Sequence, residues 1–168
     1  MRPSWKRADR PLIAFACALL ALLPAATPAD AASQSKLGPF GRALLRELNH
    51  ARAQYGLPAV RDDARMDGGA RAYARTLARS GSITHGSWTG RVAAASRHAD
   101  SIGEVLGWRA PGRARDEAAW LVRAWLGSPY HRPVVLGAGF RRVGIGRATG
   151  WVGGESSAIY TVDFASAR

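Results

Sequence analysis

The sequence contains few of the residues that stabilise a small domain through covalent or metal cross-links. It has one cysteine, Cys17, among 168 residues. One cysteine cannot form an intrachain disulfide and cannot build a cysteine-rich zinc finger. Acidic residues are also scarce, with 12 against 24 basic residues and a formal net charge of +12. The length fits one domain, and a hydrophobic content of 47% excludes a largely disordered chain.

Motifs of common hydrolases and nucleic-acid-binding modules are absent too. The chain has no His-Glu-x-x-His and no Gly-x-Ser-x-Gly motif, no internal repeat and no low-complexity tract. Its arginines are spread along the sequence instead of clustering with aromatic residues. We therefore expect no nucleic acid among its partners, although the charge allows weak association with anionic surfaces.

The first 31 residues have the pattern of a secretory signal peptide. Residues 1–10 are basic, and residues 11–29 carry no charge. The most apolar stretch is shorter than the roughly 20 residues of a membrane-spanning helix, and Ala29-Asp30-Ala31 is a small-x-small cleavage pattern. We predict a signal peptide over 1–31 and a secreted or periplasmic mature protein without cysteine. An uncleaved N-terminal anchor is the alternative.

Hydrophobic spacing predicts an α+β domain over residues 42–168, preceded by a flexible lead-in over 32–41. Residues 81–113 are rich in loop-forming residues. Strands do not alternate regularly with helices, which favours an antiparallel sheet. The predicted helices span 42–55, 64–79 and 114–126, and the predicted strands span 101–106, 142–148 and 157–164.

Three polar residues in loop-like segments are the candidates for chemistry: His85, Glu104 and His131. Each lies close to Gly, Pro or Ser, where a side chain can be presented at a surface. Two imidazoles and a carboxylate can hold a divalent metal with an open position, or can act in acid–base chemistry. The simpler alternative is that both histidines are ordinary loop residues, because the spacing alone does not decide.

A set of short segments resembles a known family. LLRELNHARAQYGLPAV, ITH, IGE, AWLGSPYHR and FRRVGIG, read in order, are similar to the bacterial SCP or CAP domain of the cysteine-rich secretory protein, antigen 5 and pathogenesis-related 1 superfamily. Asn49 and Arg52 match its first-helix N-x-x-R, and His85, Glu104 and His131 match its cleft residues. The resemblance implies a three-layer α-β-α sandwich with a central antiparallel sheet and a shallow cleft.

The chain departs from this family pattern at the cleft. Val105 replaces the Asn of G-E-N, and Tyr130 replaces the Gly before His131. The second carboxylate of the eukaryotic cleft has no clear counterpart in the sequence. These departures weaken the case for catalysis more than the case for a metal, so the sequence leaves open whether the protein is an enzyme.

The resemblance implies a binding module for a lipid-like or cell-envelope ligand, acting as a monomer, with zinc or another divalent cation at His85 and His131. The alternative is a metal-assisted hydrolase in which Glu104 is the general base. An Arg-rich envelope adhesin, using Arg71, Arg75 and Arg79, is a further alternative. The residues expected to line the cleft are Trp88, Trp108, Ser128 and Tyr130, although packing is an equal explanation for the two tryptophans.

Overall fold

The computed structural model describes residues 37–167, so the predicted signal peptide with Cys17 lies outside the described residues. The described part contains five helices and one four-stranded sheet. No helix within it is both long and apolar enough to cross a bilayer. In chain order the elements are α1 (Pro39–Gln54), β1 (Arg61–Asp62), α2 (Ala64–Ser80), α3 (Trp88–Ser96), β2 (Ile102–Arg109), α4 (Ala114–Gly127), α5 (Arg132–Val135), β3 (Phe140–Val152) and β4 (Glu155–Ser166).

The sheet has the strand order β1-β3-β4-β2. The three long strands pair antiparallel, as the sequence predicts, and β3 and β4 form a hairpin. The short β1 is the exception, because it pairs parallel with the start of β3 over two residues. The central sheet is therefore antiparallel as predicted, with one short parallel pair at its edge that the sequence analysis did not include.

Helices cover both faces of the sheet, which confirms the three-layer sandwich. The main hydrophobic core lies between the sheet and the pair α1 and α4, and it includes Leu44, Leu121 and Val162. On the other face α2 and α3 pack on the sheet, with a second cluster around Leu77 and Ile159. Because both faces are covered, β4 is buried from Ser157 to Ser166.

The start of α1 and the presence of α3 differ from the sequence prediction. Helix α1 begins at Pro39, so the flexible lead-in predicted over 32–41 extends too far. Proline is favoured in the first turn because its φ is already helical and its missing N–H has no helical partner there. Helix α3 falls in the segment predicted as loop, because only Val92 and Ser96 of its nine residues are buried and no apolar periodicity marks it.

Candidate functional site

The centre of the site is a direct contact between two of the three candidate residues. Nδ1 of His85 lies 2.7 Å from Oε1 of Glu104. Glu104 is on β2 with a fully buried side chain, whereas the side chain of His85 is 46% exposed. The carboxylate therefore accepts a hydrogen bond from Nδ1–H and leaves Nε2 of His85 facing outward.

Two further charged residues, which the sequence did not single out, complete this cluster. Arg91 on α3 pairs with the other oxygen of Glu104 and lies 3.4 Å from Oδ2 of Asp163. Asp163 is opposite Glu104 in the pairing of β2 with β4, and it is buried. The guanidinium of Arg91 also lies 3.7 Å from the centre of the Tyr73 ring. One arginine thus contacts two buried acidic side chains and joins α3 to the sheet.

A weak signal for Asp163 was present in the sequence. It interrupts the apolar strand SAIYTVDF between Val162 and Phe164, and a carboxylate in a central strand needs a cationic partner. Arg91 had no such signal, because the helix that presents it lacks amphipathic spacing. Asp163 is thus a second acidic side chain beside Glu104, on β4.

The third candidate, His131, lies just before α5. Its Nδ1 is 2.8 Å from Oγ of Ser128. The pKa of His131 is lowered, first because burial disfavours the imidazolium and second because of the charge of His85. The contact with Ser128 orients the ring of His131.

An open groove of about 380 Å³ lies beside this cluster. Trp88 is one of its lining residues. Trp108 lies at the opposite end of β2 and is half exposed, and Tyr130 is largely exposed. The groove is lined by His85, Trp88, Ile102, Gly103, Glu104, Pro133, Val134, Gly137 and Phe140.

The residues present do not fit a three-ligand zinc site. Among residues 37–167 no group of three or more His, Cys, Asp or Glu side chains is arranged to hold a metal ion. Both oxygens of Glu104 are used by His85 and Arg91, whereas a catalytic zinc usually has three protein ligands and a water. Zinc held by His85 and His131 alone stays a prediction.

The buried Asp163 should make stability fall as the pH rises. Burial, and then the charge of Glu104, raise the pKa of Asp163 from 3.8 to about 8. The folded protein thus keeps a proton that the unfolded chain releases, so the stabilising contribution is complete below about pH 4 and is lost as pH rises through 8. Asp163→Asn imitates the protonated acid. Between pH 5 and 8.5 its free energy of unfolding should fall less than that of the wild type, by about 1.4 kcal/mol or more.

Urea unfolding at several pH values measures this difference. Asp116→Asn, at an exposed position of α4, is the control and should follow the wild-type pH profile. An Asp163→Asn profile parallel to that of the wild type would show that Asp163 carries no extra proton in the folded protein.

The fold and the cleft together define a class of protein: an α-β-α sandwich with two histidines and a buried acid cluster at one end of its sheet. The sequence model of CAP, the cysteine-rich secretory protein family, matches residues 45–164. The chain belongs to this family.

Solved structures agree with this assignment at the level of the fold. An outer surface protein from Borrelia burgdorferi is 20% identical with a TM-score of 0.60, over 77% of this chain and 93% of that one. An extracellular SCP-domain protein from Bacillus anthracis is 18% identical with a TM-score of 0.58, over 75% of this chain and 40% of that one. A cysteine-rich secretory protein from Staphylococcus aureus is 18% identical with a TM-score of 0.55, over 74% and 38%. This chain spans about two-fifths of the last two proteins. A search of curated proteins finds no match.

Proposed function

We propose that this protein is an exported binding module whose groove holds a lipid-like molecule or another amphipathic component of the cell envelope. The observation that carries the proposal is the composition of the groove. Its wall is apolar, with Trp88, Val134 and Phe140, and its polar end is the His85–Glu104 pair. Binding sites of this kind combine an apolar lining with a few oriented polar groups. An amphipathic ligand would place its chain on the wall and its head group at His85.

The groove depends on a close approach of its walls at Gly103. A Cβ atom at this position would lie 2.9 Å from Cγ1 of Val134 and 3.0 Å from Cζ of Phe140. The ring of Phe140 packs against the ring of Phe164, with ring centres 5.5 Å apart. The wall is therefore built from packed side chains on β2, α5 and β3, which suits a preformed site.

Export is part of the proposal. It is supported by the signal-peptide pattern of residues 1–31. The similar Borrelia protein is described as an outer surface protein and the Bacillus protein as extracellular.

Filling the groove should weaken ligand binding. Val134→Trp places an indole in the space between α5 and Phe140, so we expect fluorescent fatty-acid and sterol analogues to bind at least about tenfold more weakly, a loss of about 1.4 kcal/mol. Ala124→Trp adds the same side chain at an exposed position of α4 and should bind like the wild type. Fluorescence titration measures both. The proposal is overturned if the wild type binds no amphipathic probe or if Val134→Trp binds as tightly as the wild type.

A metal held by the two histidines is the second candidate, and one observation favours it. Each Nδ1 is engaged by a neighbouring side chain, Glu104 for His85 and Ser128 for His131. This arrangement orients the rings and leaves both Nε2 atoms for a ligand, as in metal-binding histidines. Such an ion would supply a Lewis acid at the polar end of the groove. The Glu104 base of the hydrolase alternative is not favoured, because its oxygens are already paired with His85 and Arg91.

Zinc should raise the melting temperature of the wild type if this candidate is right, because an ion that binds only the folded state stabilises it. His85→Ala and His131→Ala should each remove the increase. His50→Ala, at an exposed position of α1, should retain it. An increase that survives both cleft substitutions would place the metal elsewhere, and no increase in the wild type would rule out the candidate.

A further inference from the structure

Three exposed tryptophans lie at one end of the sheet. The exposed fractions are 50% for Trp108, 39% for Trp120 and 65% for Trp151. Trp108 is next to the last residue of β2, and Trp151 precedes the turn between β3 and β4. Trp120 is on α4 and lies near the same end, because the guanidinium of Arg109, the last residue of β2, is 5.1 Å from the centre of the Trp120 ring. We call Trp108, Trp120 and Trp151 the tryptophan end.

The groove lies at the other end of the sheet. Glu104 is near the start of β2, and Phe140 begins β3. The tryptophan end therefore belongs neither to the hydrophobic core nor to the candidate site. Its exposed indoles need another explanation, since large apolar groups grouped at a surface usually mark an interaction site.

The three indoles surround the end of the molecule instead of forming one flat face. Side chains alternate between the two faces along a strand. Trp108 is two residues after Leu106, so it lies on the same face of β2, the face that packs on α2. Trp151 is six residues after Ile145, so it lies on the same face of β3, the face that packs on α1 and α4. Trp120 is on α4 itself. A protein partner would need one continuous complementary surface, whereas a fluid lipid interface can receive side chains on all sides of a tip.

Two arginines near these tryptophans occupy positions at which a positive charge does not stabilise the fold. Arg113 is the N-cap of α4 without a capping hydrogen bond from its side chain, and Arg115 lies in the first turn. Cations are unfavourable at a helix N-terminus because of the helix dipole. The acids exposed nearby are Asp116 and Glu155. Over residues 37–167 the exposed charges are strongly positive: Arg42, Arg46, Arg61, Arg65, Arg75, Arg79, Arg97, Arg113, Arg115, Arg123 and Arg132 against Asp100, Asp116 and Glu155.

We propose that the tryptophan end docks this protein in the head-group layer of an anionic phospholipid bilayer. Indoles suit this layer because they combine a large apolar body with a polar N–H, and arginines are attracted by the anionic lipids. The mouth of the groove then faces away from the bilayer. This inference does not depend on what the groove binds.

Quenching of single tryptophans by brominated lipids tests the proposal. The probe is vesicles of phosphatidylcholine with 30 mol% phosphatidylglycerol, with and without brominated acyl chains. The fluorescence difference between the mature chain from residue 32 and the same chain with Trp151→Phe isolates Trp151, because the other tryptophans are common to both proteins. Brominated anionic vesicles should remove more than half of the Trp151 signal. Phosphatidylcholine alone should remove clearly less, and an unquenched Trp151 overturns the proposal.

Charge-reversed pairs test whether docking is specific to this end. Arg113→Glu with Arg115→Glu should reduce the quenching of Trp151 at least threefold, and acidic residues at the start of α4 are compatible with folding. The matched control is Arg61→Glu with Arg65→Glu, the same change of charge near the start of β3, which should leave the quenching nearly intact. Equal losses in both pairs would indicate attraction by net charge alone. Protection of Trp151 from acrylamide by dextran sulfate, without quenching by vesicles, would indicate a polysaccharide partner; either result overturns the proposal.

Discussion

Gly146→Ala should lower the free energy of unfolding by about 3 kcal/mol or more, an unusually large effect for one added methyl group. A Cβ atom at Gly146 would lie 2.2 Å from the carbonyl carbon and oxygen of Ala70 and 2.6 Å from the backbone nitrogen of Arg71. These atoms belong to the backbone of α2, so no side-chain rotation can relieve the overlap. Either α2 must move away from β3 or the strand must bend.

Gly68→Ala is the matched control for this prediction. Gly68 lies within α2, and a Cβ atom there would have no neighbour within 4 Å. Alanine at this site should raise the free energy of unfolding by about 0.5–1 kcal/mol, because it favours the helix and restricts the unfolded chain. Urea unfolding of both variants measures the contrast. A Gly146→Ala protein as stable as the wild type would contradict the close packing of α2 on β3.

This packing shows which part of the fold the sequence predicts and which part it leaves out. The alternation of Val143 and Ile145 with glycine predicts the strand and its buried face. The reason for the glycines is visible only in three dimensions: Gly144, Gly146 and Gly150 each face the backbone or a Cβ atom of α2. Periodicity reports the burial of side chains, whereas a helix lying directly on a strand is a property of two segments far apart in sequence.

For the candidate site, too, the sequence predicts one part and leaves another part out. The family resemblance brought His85 and Glu104 together, and the structure places them 2.7 Å apart. Arg91 and Asp163 were not predicted, because Arg91 has no local signature and its contact with Asp163 joins residues 72 apart in the sequence. The sequence also did not predict what holds the loop before β3 in place. Its anchor, Arg52, lies in α1, where apolar spacing gives no sign of a buried arginine.

Arg52→Met should lower the free energy of unfolding by about 3–5 kcal/mol, because each buried carbonyl left without a donor costs about 1–3 kcal/mol. The side chain of Arg52 is fully buried. Its guanidinium donates to the carbonyl oxygens of Pro58, Val135, Gly137 and Phe140 at 2.8–3.3 Å. Burial, and then the charge of Arg141, lower the pKa of Arg52. The cation is stabilised by four backbone dipoles, and methionine fills much of the volume but supplies no donor.

Arg46→Met, at an exposed position one and a half turns earlier in α1, should change the free energy of unfolding by less than about 0.5 kcal/mol. Arg52→Lys separates charge from geometry: lysine keeps the charge, but its single ammonium cannot reach all four carbonyls. Three of these carbonyls belong to Val135, Gly137 and Phe140, and both Gly137 and Phe140 line the groove. Arg52→Lys should therefore weaken binding of the amphipathic probe even below its melting temperature, whereas Arg46→Lys should not. Unchanged probe affinity in a folded Arg52→Lys protein would show that Arg52 supports the fold without shaping the groove.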